Sequence, residues 1–320
     1  LYSSTFKRSG KGGNDFVWSP LVNLGPNINT KDGWEAQPSL SSDGKMLFFT
    51  SIRKGSRDND IYISLKQKDG TWGMARPFDE INTAGKDKSP FFHQDGETLY
   101  FVSSSSIERK GLGGLDIFYI RKTDSGWTEP KNIGYPINSP QDELGLFVST
   151  SGRIAYFSSF QDGNWNIYSF ELYEEARPEE VVILKGSVKN EDGSISKGAK
   201  VQIHYDGSEE LDETIEVNED DGSYATVVKV KKAENISITV DKKGSSFAIS
   251  RLKTLDIINT LDKPTIIGDL KVTPIKDGEK YELEDILYET DSYNLTQESK
   301  FTLKCFKNYL LSNPNYSITI

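Results

Sequence analysis

Apolar positions in the first 172 residues come in short runs closed by turn chemistry, not in the 3- and 4-residue spacing of a helix. Leu47-Phe48-Phe49, Leu99-Tyr100-Phe101 and Ile154-Ala155-Tyr156-Phe157 supply β-prone residues for a packed sheet. Each run follows a tight turn, at Asp43-Gly44, Asp95-Gly96 or Ser151-Gly152. There glycine accepts positive φ, and the preceding Asp or Ser bonds local backbone groups. A strand precedes each turn, and a third strand follows at Asp60-Ile61-Tyr62, Asp116-Ile117-Phe118 and Asn166-Ile167-Tyr168. Trp72 and Trp127 are expected to open a fourth. The units close with Ile81-Asn82-Thr83 and Ile137-Asn138-Ser139, and an earlier partial copy closes with Ile28-Asn29-Thr30.

Asp43 and Asp95 are 52 residues apart, and Asp95 and Ser151 are 56 apart, a period suited to a four-stranded propeller blade. The variation between copies is informative. Asn166 replaces Asp60 and Asp116 before the Ile-aromatic pair, and Ser151 replaces Asp at the turn. Neutral hydrogen-bonding substitutes point to capping, not to metal ligation or acid catalysis. About three blades fit residues 1–172, whereas closed propellers typically need at least four. The first copy is compressed, with Asp15 only three residues before Trp18. Residues upstream and within that copy are therefore expected to be missing. The third copy has no Trp-Pro strand after Tyr168, so its outer strand is expected from elsewhere in the chain. These repeats resemble the WD-like, TolB-type propeller repeats of bacterial envelope proteins.

Residues 173–180, with Glu174, Glu175, Arg177 and Pro178, read as a charged linker. From Val181 short alternating strands begin, around Val182–Val188, Ala199–Ile203 and Ile236–Val240, with turns at Asp192-Gly193 and Asp221-Gly222. The Gly186-x-Val188, Gly198-Ala199-x-Val201 and Asp221-Gly222-Ser223-Tyr224 segments resemble the carboxypeptidase regulatory-like fold. That resemblance implies a β-sandwich spacer over 181–272, without peptidase chemistry. His204 lacks the converging partners of a zinc site and reads as a strand or strand-end residue.

The tail, 273–320, predicts a strand running to Tyr288, a helix with Leu303, Phe306 and Leu310 on one face, and a second strand over Tyr316–Ile320. Thr296 with Ser299 offers the helix start, and Asn313-Pro314 stops it. This order resembles the opening of an OmpA-like peptidoglycan-binding domain. The family's Phe-Asp-Thr-Asp-Ser segment matches Tyr288, Thr290, Asp291 and Ser292, while Glu289 departs from Asp. The resemblance makes Tyr288, Thr290 and Asp291 rim residues of a ligand groove. It puts the main ligand residues beyond Ile320, so peptidoglycan is expected to bind only through the complete domain. Cys305, offset from the Leu303 face, reads as a partly buried structural thiol.

The fold class is thus mainly β: propeller blades, a small β-sandwich, then the start of an α/β OmpA-like domain. A formal net charge of −10 and a pI of about 5.0 argue against nucleic acid as a partner. One cysteine excludes an intramolecular disulfide and a CxxC zinc site, so no metal or cofactor is expected. No apolar run reaches membrane-helix length. Leu1 is no initiator methionine, and an anchoring lipid-modified cysteine would lie upstream of it. The domain order resembles outer-membrane-associated proteins of Bacteroidetes-type bacteria, some in type IX secretion and gliding. That implies a non-catalytic periplasmic tether, with peptidoglycan on the tail and a protein partner on the propeller. The competing reading is a glycan-binding or glycan-processing propeller, drawing on Trp34, Trp72, Trp127 and Trp165. Two histidines, and no GxSxG or HExxH, leave little for catalysis.

Overall fold

The structure is a computed structural model that describes residues 1–9, 15–205, 213–230, 235–254, 265–276, 278–283 and 286–316. The chain divides into two compact units, Leu1–Glu179 and Glu180–Ile320, and is mainly β.

In the first unit β1 (Tyr2–Ser3), β2 (Phe6–Ser9), β3 (Asp15–Trp18) and β4 (Val22–Asn23) form two small antiparallel pairs, β1 with β4 and β2 with β3. The first full sheet is β5 (Trp34–Leu40), β6 (Met46–Ile52), β7 (Asp60–Leu65) and β8 (Arg76–Pro77), paired in that order. The second is β9 (Asp87–Phe92), β10 (Thr98–Ser104) and β11 (Leu115–Thr123), with β12 (Gly126–Trp127) and β13 (Lys131–Asn132) both against β11. The third is β14 (Glu143–Val148), β15 (Ile154–Ser159) and β16 (Asn166–Glu171).

Two expectations are corrected here. Trp72 does not open the outer strand of its sheet: it makes an isolated bridge to Lys66, and the ladder forms at Arg76–Pro77. Trp127 does open the pairing outside β11: it lies opposite Lys122 in a two-residue hairpin strand, ahead of Lys131–Asn132. In the first sheet the tryptophan is drawn out of the ladder by core packing, whereas Trp127 stays in it. Trp127 lies edge-on to Phe78 with ring centroids 5.3 Å apart, and Trp72 packs beside Phe49 and Tyr62. The third sheet has three strands among the described residues, and no other segment pairs with β16.

Alternation along the strands assigns each sheet two faces. Phe48, Ile61 and Ile63 of the first sheet meet Leu99, Phe101, Phe118 and Ile120 of the second. The opposite side chains of the second sheet, Tyr100, Val102, Ile117 and Tyr119, meet Leu146, Val148, Ala155 and Phe157 of the third. Each buried Leu, Ile, Val or Phe among them contributes about 1.5–3 kcal/mol. At the start of the stack the remaining face, Leu47, Phe49 and Tyr62, is closed by Ile28 with Leu1 and Leu24.

In the second unit β17 (Val181–Asn190), β18 (Lys200–Tyr205), β19 (Glu213–Glu216), β20 (Ser223–Lys229), β21 (Asn235–Asp241), β22 (Ile249–Lys253), β23 (Thr265–Ile267) and β24 (Leu270–Val272) build two sheets. One is β20-β17 with β23 and β24 parallel on β17, and the other is β19-β18-β21-β22. Val182, Leu184, Tyr224 and Val228 of one sheet share a core with Val201, Ile203, Ile236 and Ile238 of the other. Gly186 is required by close approach: a Cβ there would sit 2.3 Å from the Gly268 carbonyl oxygen.

Helix α1 (Gln297–Ser312) is capped by Thr296, whose hydroxyl accepts from the Ser299 amide, and closed by Asn313. Its buried stripe is Ser299, Thr302, Cys305 and Tyr309, one position off the expected Leu303, Phe306 and Leu310, which are half-buried. The outer face of the β18–β21–β22 sheet causes the shift. That face is polar, with Arg251 donating to the Glu298 carbonyl at 2.9 Å, so short and hydroxyl-bearing residues line the contact. Among the described residues the strand expected before the helix is reduced to isolated bridges, Pro274 to Ser245 and Tyr288 to Leu295, and the expected strand over 316–320 lies mostly outside the described residues.

Candidate functional site

The repeat sets one acid at the same point of each sheet. Glu35, Asp87 and Glu143 lie opposite Ser51, Ser103 and Ser159, which lie opposite Asp60, Asp116 and Asn166 on the next strand. A hydroxyl from the preceding Ile-Asn-Thr/Ser segment caps each first-strand acid. Thr30 donates to Glu35 at 2.7 Å, Thr83 to Asp87 at 2.9 Å and Ser139 to Glu143 at 2.6 Å. The neighbouring asparagine has a different task. Asn82 and Asn138 each bridge both backbone groups of Ile61 and Ile117, extending the ladder from loop to third strand.

In the first two sheets a guanidinium completes the arrangement. Arg53 meets Glu35 at 3.2 Å and donates to the Ile28 carbonyl at 2.7 Å, lying over the rings of Phe49 and Tyr62. Arg109 meets Asp87 at 2.8 Å and the Ile81 carbonyl at 2.7 Å, over Phe101 and Phe118. Burial nevertheless pushes the Asp87 carboxyl up, partly offset by the hydrogen bonds from Ser103 and Thr83 and by the Arg109 charge. The third sheet keeps the aromatic pair, Phe157 and Tyr168, but no arginine. Glu143 is satisfied by neutral hydroxyls, Ser159 at 3.0 Å among them, and burial raises its pKa.

Asp60 and Asp116 take the backbone amides of Arg57 and Leu112, at 3.0 and 2.9 Å, as loop caps. The second carboxylate oxygen of each is buried with no hydrogen-bond partner, and burial raises both pKa values. Asn166, at the same position, is exposed. At the turns, Asp43 accepts from Ser41 and from the Lys45 amide. Asp95 accepts from the amides of Glu97, Thr98 and Glu179. Burial alone would raise the Asp95 pKa, but His93 and these amides outweigh it, so the carboxyl sits well below the usual range. His93 is wholly buried, with Nε2 3.1 Å from the Ser149 carbonyl and Nδ1 3.1 Å from the Asp95 backbone nitrogen and 3.5 Å from its carboxylate.

These groups are held for structure. Asp87, Glu143 and His93 have no solvent-exposed surface, so no substrate reaches them. Among the described residues no group of three His, Cys, Asp or Glu side chains could hold a metal ion. The arginines were missed in the sequence because Arg53 follows Ser51 by two residues and Arg109 follows Ser103 by six. The detectable signal is the recurring Ile-Asn-Thr/Ser followed by an acid four or five residues on.

Tyr288, Thr290 and Asp291 come together in one exposed turn, with Asp291 left-handed at φ +54°. Glu289 donates to Asn294 at 2.8 Å, and Ser299 ties Leu287 to the helix start through both of its backbone groups. Elsewhere in this unit a cavity of about 200 Å³ lies between the outer face of the β18–β21 sheet and α1, lined among others by His204, Thr239, Phe247, Cys305 and Tyr309. His204 is a strand residue bonded to the Thr239 hydroxyl at 3.1 Å, and Cys305 is buried.

No family model matches the chain, and no curated protein matches it in sequence. Solved structures with similarity include TolB from Acinetobacter baumannii, at 14% identity and TM-score 0.33, covering 76% of this chain and 55% of that one. A putative TolB from Agrobacterium tumefaciens gives 17% identity and TM-score 0.34, covering 62% and 60%. Prolyl oligopeptidase B from Galerina marginata gives 10% identity and TM-score 0.32, covering 77% and 28%. The chain therefore spans little more than half of the two TolB structures it resembles. Among the described residues no helix is long and apolar enough to cross a membrane.

Proposed function

We propose that this chain belongs to a non-catalytic periplasmic scaffold, whose stacked sheets dock a protein partner. On this reading the segment from 273 is the opening of a domain that grips peptidoglycan, and the whole tethers an outer-membrane-associated complex, of the type IX secretion kind, to the wall. The mechanism is avidity: two weak sites on one chain act at high effective concentration on each other's targets. One observation carries the non-catalytic part. Among the described residues, the buried repeat acids Asp87, Asp95, Asp116 and Glu143 and the histidine His93 are engaged in caps and loop ties inside the sheet stack, which takes these groups out of reach as catalytic acids or bases.

Exposed Trp165, paired with Phe160 at 5.6 Å, favours a second reading as a glycan-binding surface. The two are separated by cross-linking the full-length protein in its native envelope and by co-sedimenting it with purified peptidoglycan. The scaffold reading expects a reproducible protein cross-link and wall binding without turnover. Hydrolysis of glycans or peptides by the purified full-length protein would overturn it.

A further inference from the structure

The cavity between the β18–β21 sheet and α1 is built from two regular faces. On the sheet, His204 of β18 and Thr239 and Asp241 of β21 share the outer face, as the register and the alternation of strand residues require. On the helix, Cys305, Asn308, Tyr309 and Ser312 follow the 3- and 4-residue spacing of one stripe. Thr239, Cys305 and Tyr309 are buried and make the floor, while Asn308 and Ser312 are exposed, so the space opens to solvent beside the end of the helix. Its volume of about 200 Å³ gives room for several waters or for one small organic molecule. The charge of the lining is one-sided. Among the described lining residues there is one carboxylate, Asp241, and no lysine or arginine. The nearest lysines along the strands are committed elsewhere. Lys200, directly across the ladder from Asp241, pairs with Glu216 at 3.6 Å, and Lys242 donates to the Ser196 hydroxyl at 2.8 Å. The aromatic part of the lining is Phe247 and Tyr309, with ring centroids 5.7 Å apart. The Tyr309 hydroxyl is spent on the Ser245 carbonyl, so this residue offers its ring.

We propose that this cavity binds a small organic cation, carrying an amine or quaternary ammonium group, through the Asp241 carboxylate and the rings of Phe247 and Tyr309. Aromatic faces attract a cation through the ring quadrupole, most strongly where it leaves water, and the carboxylate supplies the opposite charge. The other ligand classes fit less well. An anion would meet Asp241 with no cationic side chain in the lining to hold it. A purely apolar molecule would take water from Asp241 and Asn308 and replace none of those hydrogen bonds. A neutral polyol would bond to Asn308 and Ser312 but draw nothing from the attraction of the rings and the carboxylate for positive charge.

Calorimetric titration of the 320-residue chain with choline, set against its neutral isostere 3,3-dimethylbutan-1-ol, tests this. The expected result is saturable choline binding at about millimolar affinity or tighter, with the isostere weaker by about tenfold. Asp241→Asn should weaken choline by about tenfold and Phe247→Leu by about threefold or more. Glu219→Gln, at an exposed acid of the same unit outside the cavity, leaves it unchanged. Thermal melts report whether each variant keeps the fold. Should Phe247→Leu disturb packing, Asp241→Asn decides, since it alters one half-buried side chain without changing its size. No saturable choline binding, equal affinity for the neutral isostere, or binding indifferent to Asp241→Asn would overturn the proposal. It is independent of the scaffold reading, which stands or falls on envelope cross-links and wall binding.

Discussion

Ser89 and Gly145 hold the same left-handed bulge position in successive sheets, at φ +52° and +64°. Each lies two residues into the first strand, where the register with the second strand slips. Glycine takes this conformation freely, whereas a residue with a Cβ is strained by about 1–2 kcal/mol. Ser89 carries a second burden, since its hydroxyl is buried without a partner. Its amide, by contrast, reaches Gln37 and Thr50 of the first sheet at 3.1 Å, and any residue but proline would keep those bonds. Ser89→Gly is therefore expected to stabilise the protein by about 1 kcal/mol, after the added chain entropy of glycine is set against the relief. A urea midpoint that stays the same or falls would contradict this.

The Arg109–Asp87 pair predicts the opposite sign. Arg109→Met leaves a buried carboxylate without its cation and is expected to cost about 3–5 kcal/mol. Adding Asp87→Asn in the same chain should recover much of that loss, because the charge and the unmet demand disappear together. The double-mutant cycle, read from denaturant midpoints, distinguishes coupling from simple loss of packing over Phe101 and Phe118.

Asp116 makes the cost of burying a charge depend on pH. Its folded pKa is raised by burial, so the folded state binds more protons than the unfolded one between the two pKa values. The stability this group offers is present below the unfolded value, near 3.8, and is lost as pH rises through the folded one. Asp116→Asn keeps an acceptor for Leu112 and removes the charge. It should raise stability at neutral pH by about 1 kcal/mol, with the gain shrinking in acid. Melting curves at pH 4 and pH 7.5 that shift equally would sink the account.

The strands were legible because three independent signals coincide in each repeat: an Asp-Gly or Ser-Gly turn, a β-prone run and a polar first position. The helix ends were legible for a similar reason, with Thr296 and Asn313 offering side-chain chemistry that a helix terminus needs. What the sequence hid is tertiary. Alternation in the helix suggested that Leu303, Phe306 and Leu310 face inward, but the partner sheet presents Gln202, Thr239 and Arg251, so Thr302 and Cys305 turn toward it. The arginine sites were hidden because Arg53 and Arg109 arrive from loops of different length, and only the folded rings of Phe49, Tyr62, Phe101 and Phe118 align them. Tyr288, Thr290 and Asp291 were chosen by resemblance, and local backbone bonds explain their turn without a ligand.

The third sheet supplies the last prediction, since it has the acid and the rings of an arginine site but no arginine. Gln161 follows Ser159 by two residues, as Arg53 follows Ser51, and its backbone N–H donates to the Ser159 hydroxyl at 3.2 Å. Phe157 and Tyr168 are 5.7 Å apart, close to the 6.0 Å of Phe49 and Tyr62. Gln161→Arg should place a guanidinium over those rings and against Glu143, raising stability by about 1 kcal/mol at neutral pH. Glu143, now raised by burial, should titrate lower, so the gain should fade as acid protonates it. Gln161→Lys lacks the planar fork that reaches acid and carbonyl together and should give less. The decisive control is Glu143→Gln: if Gln161→Arg stabilises that background equally, the arginine is acting through the rings or the solvent, and the pairing with Glu143 is wrong.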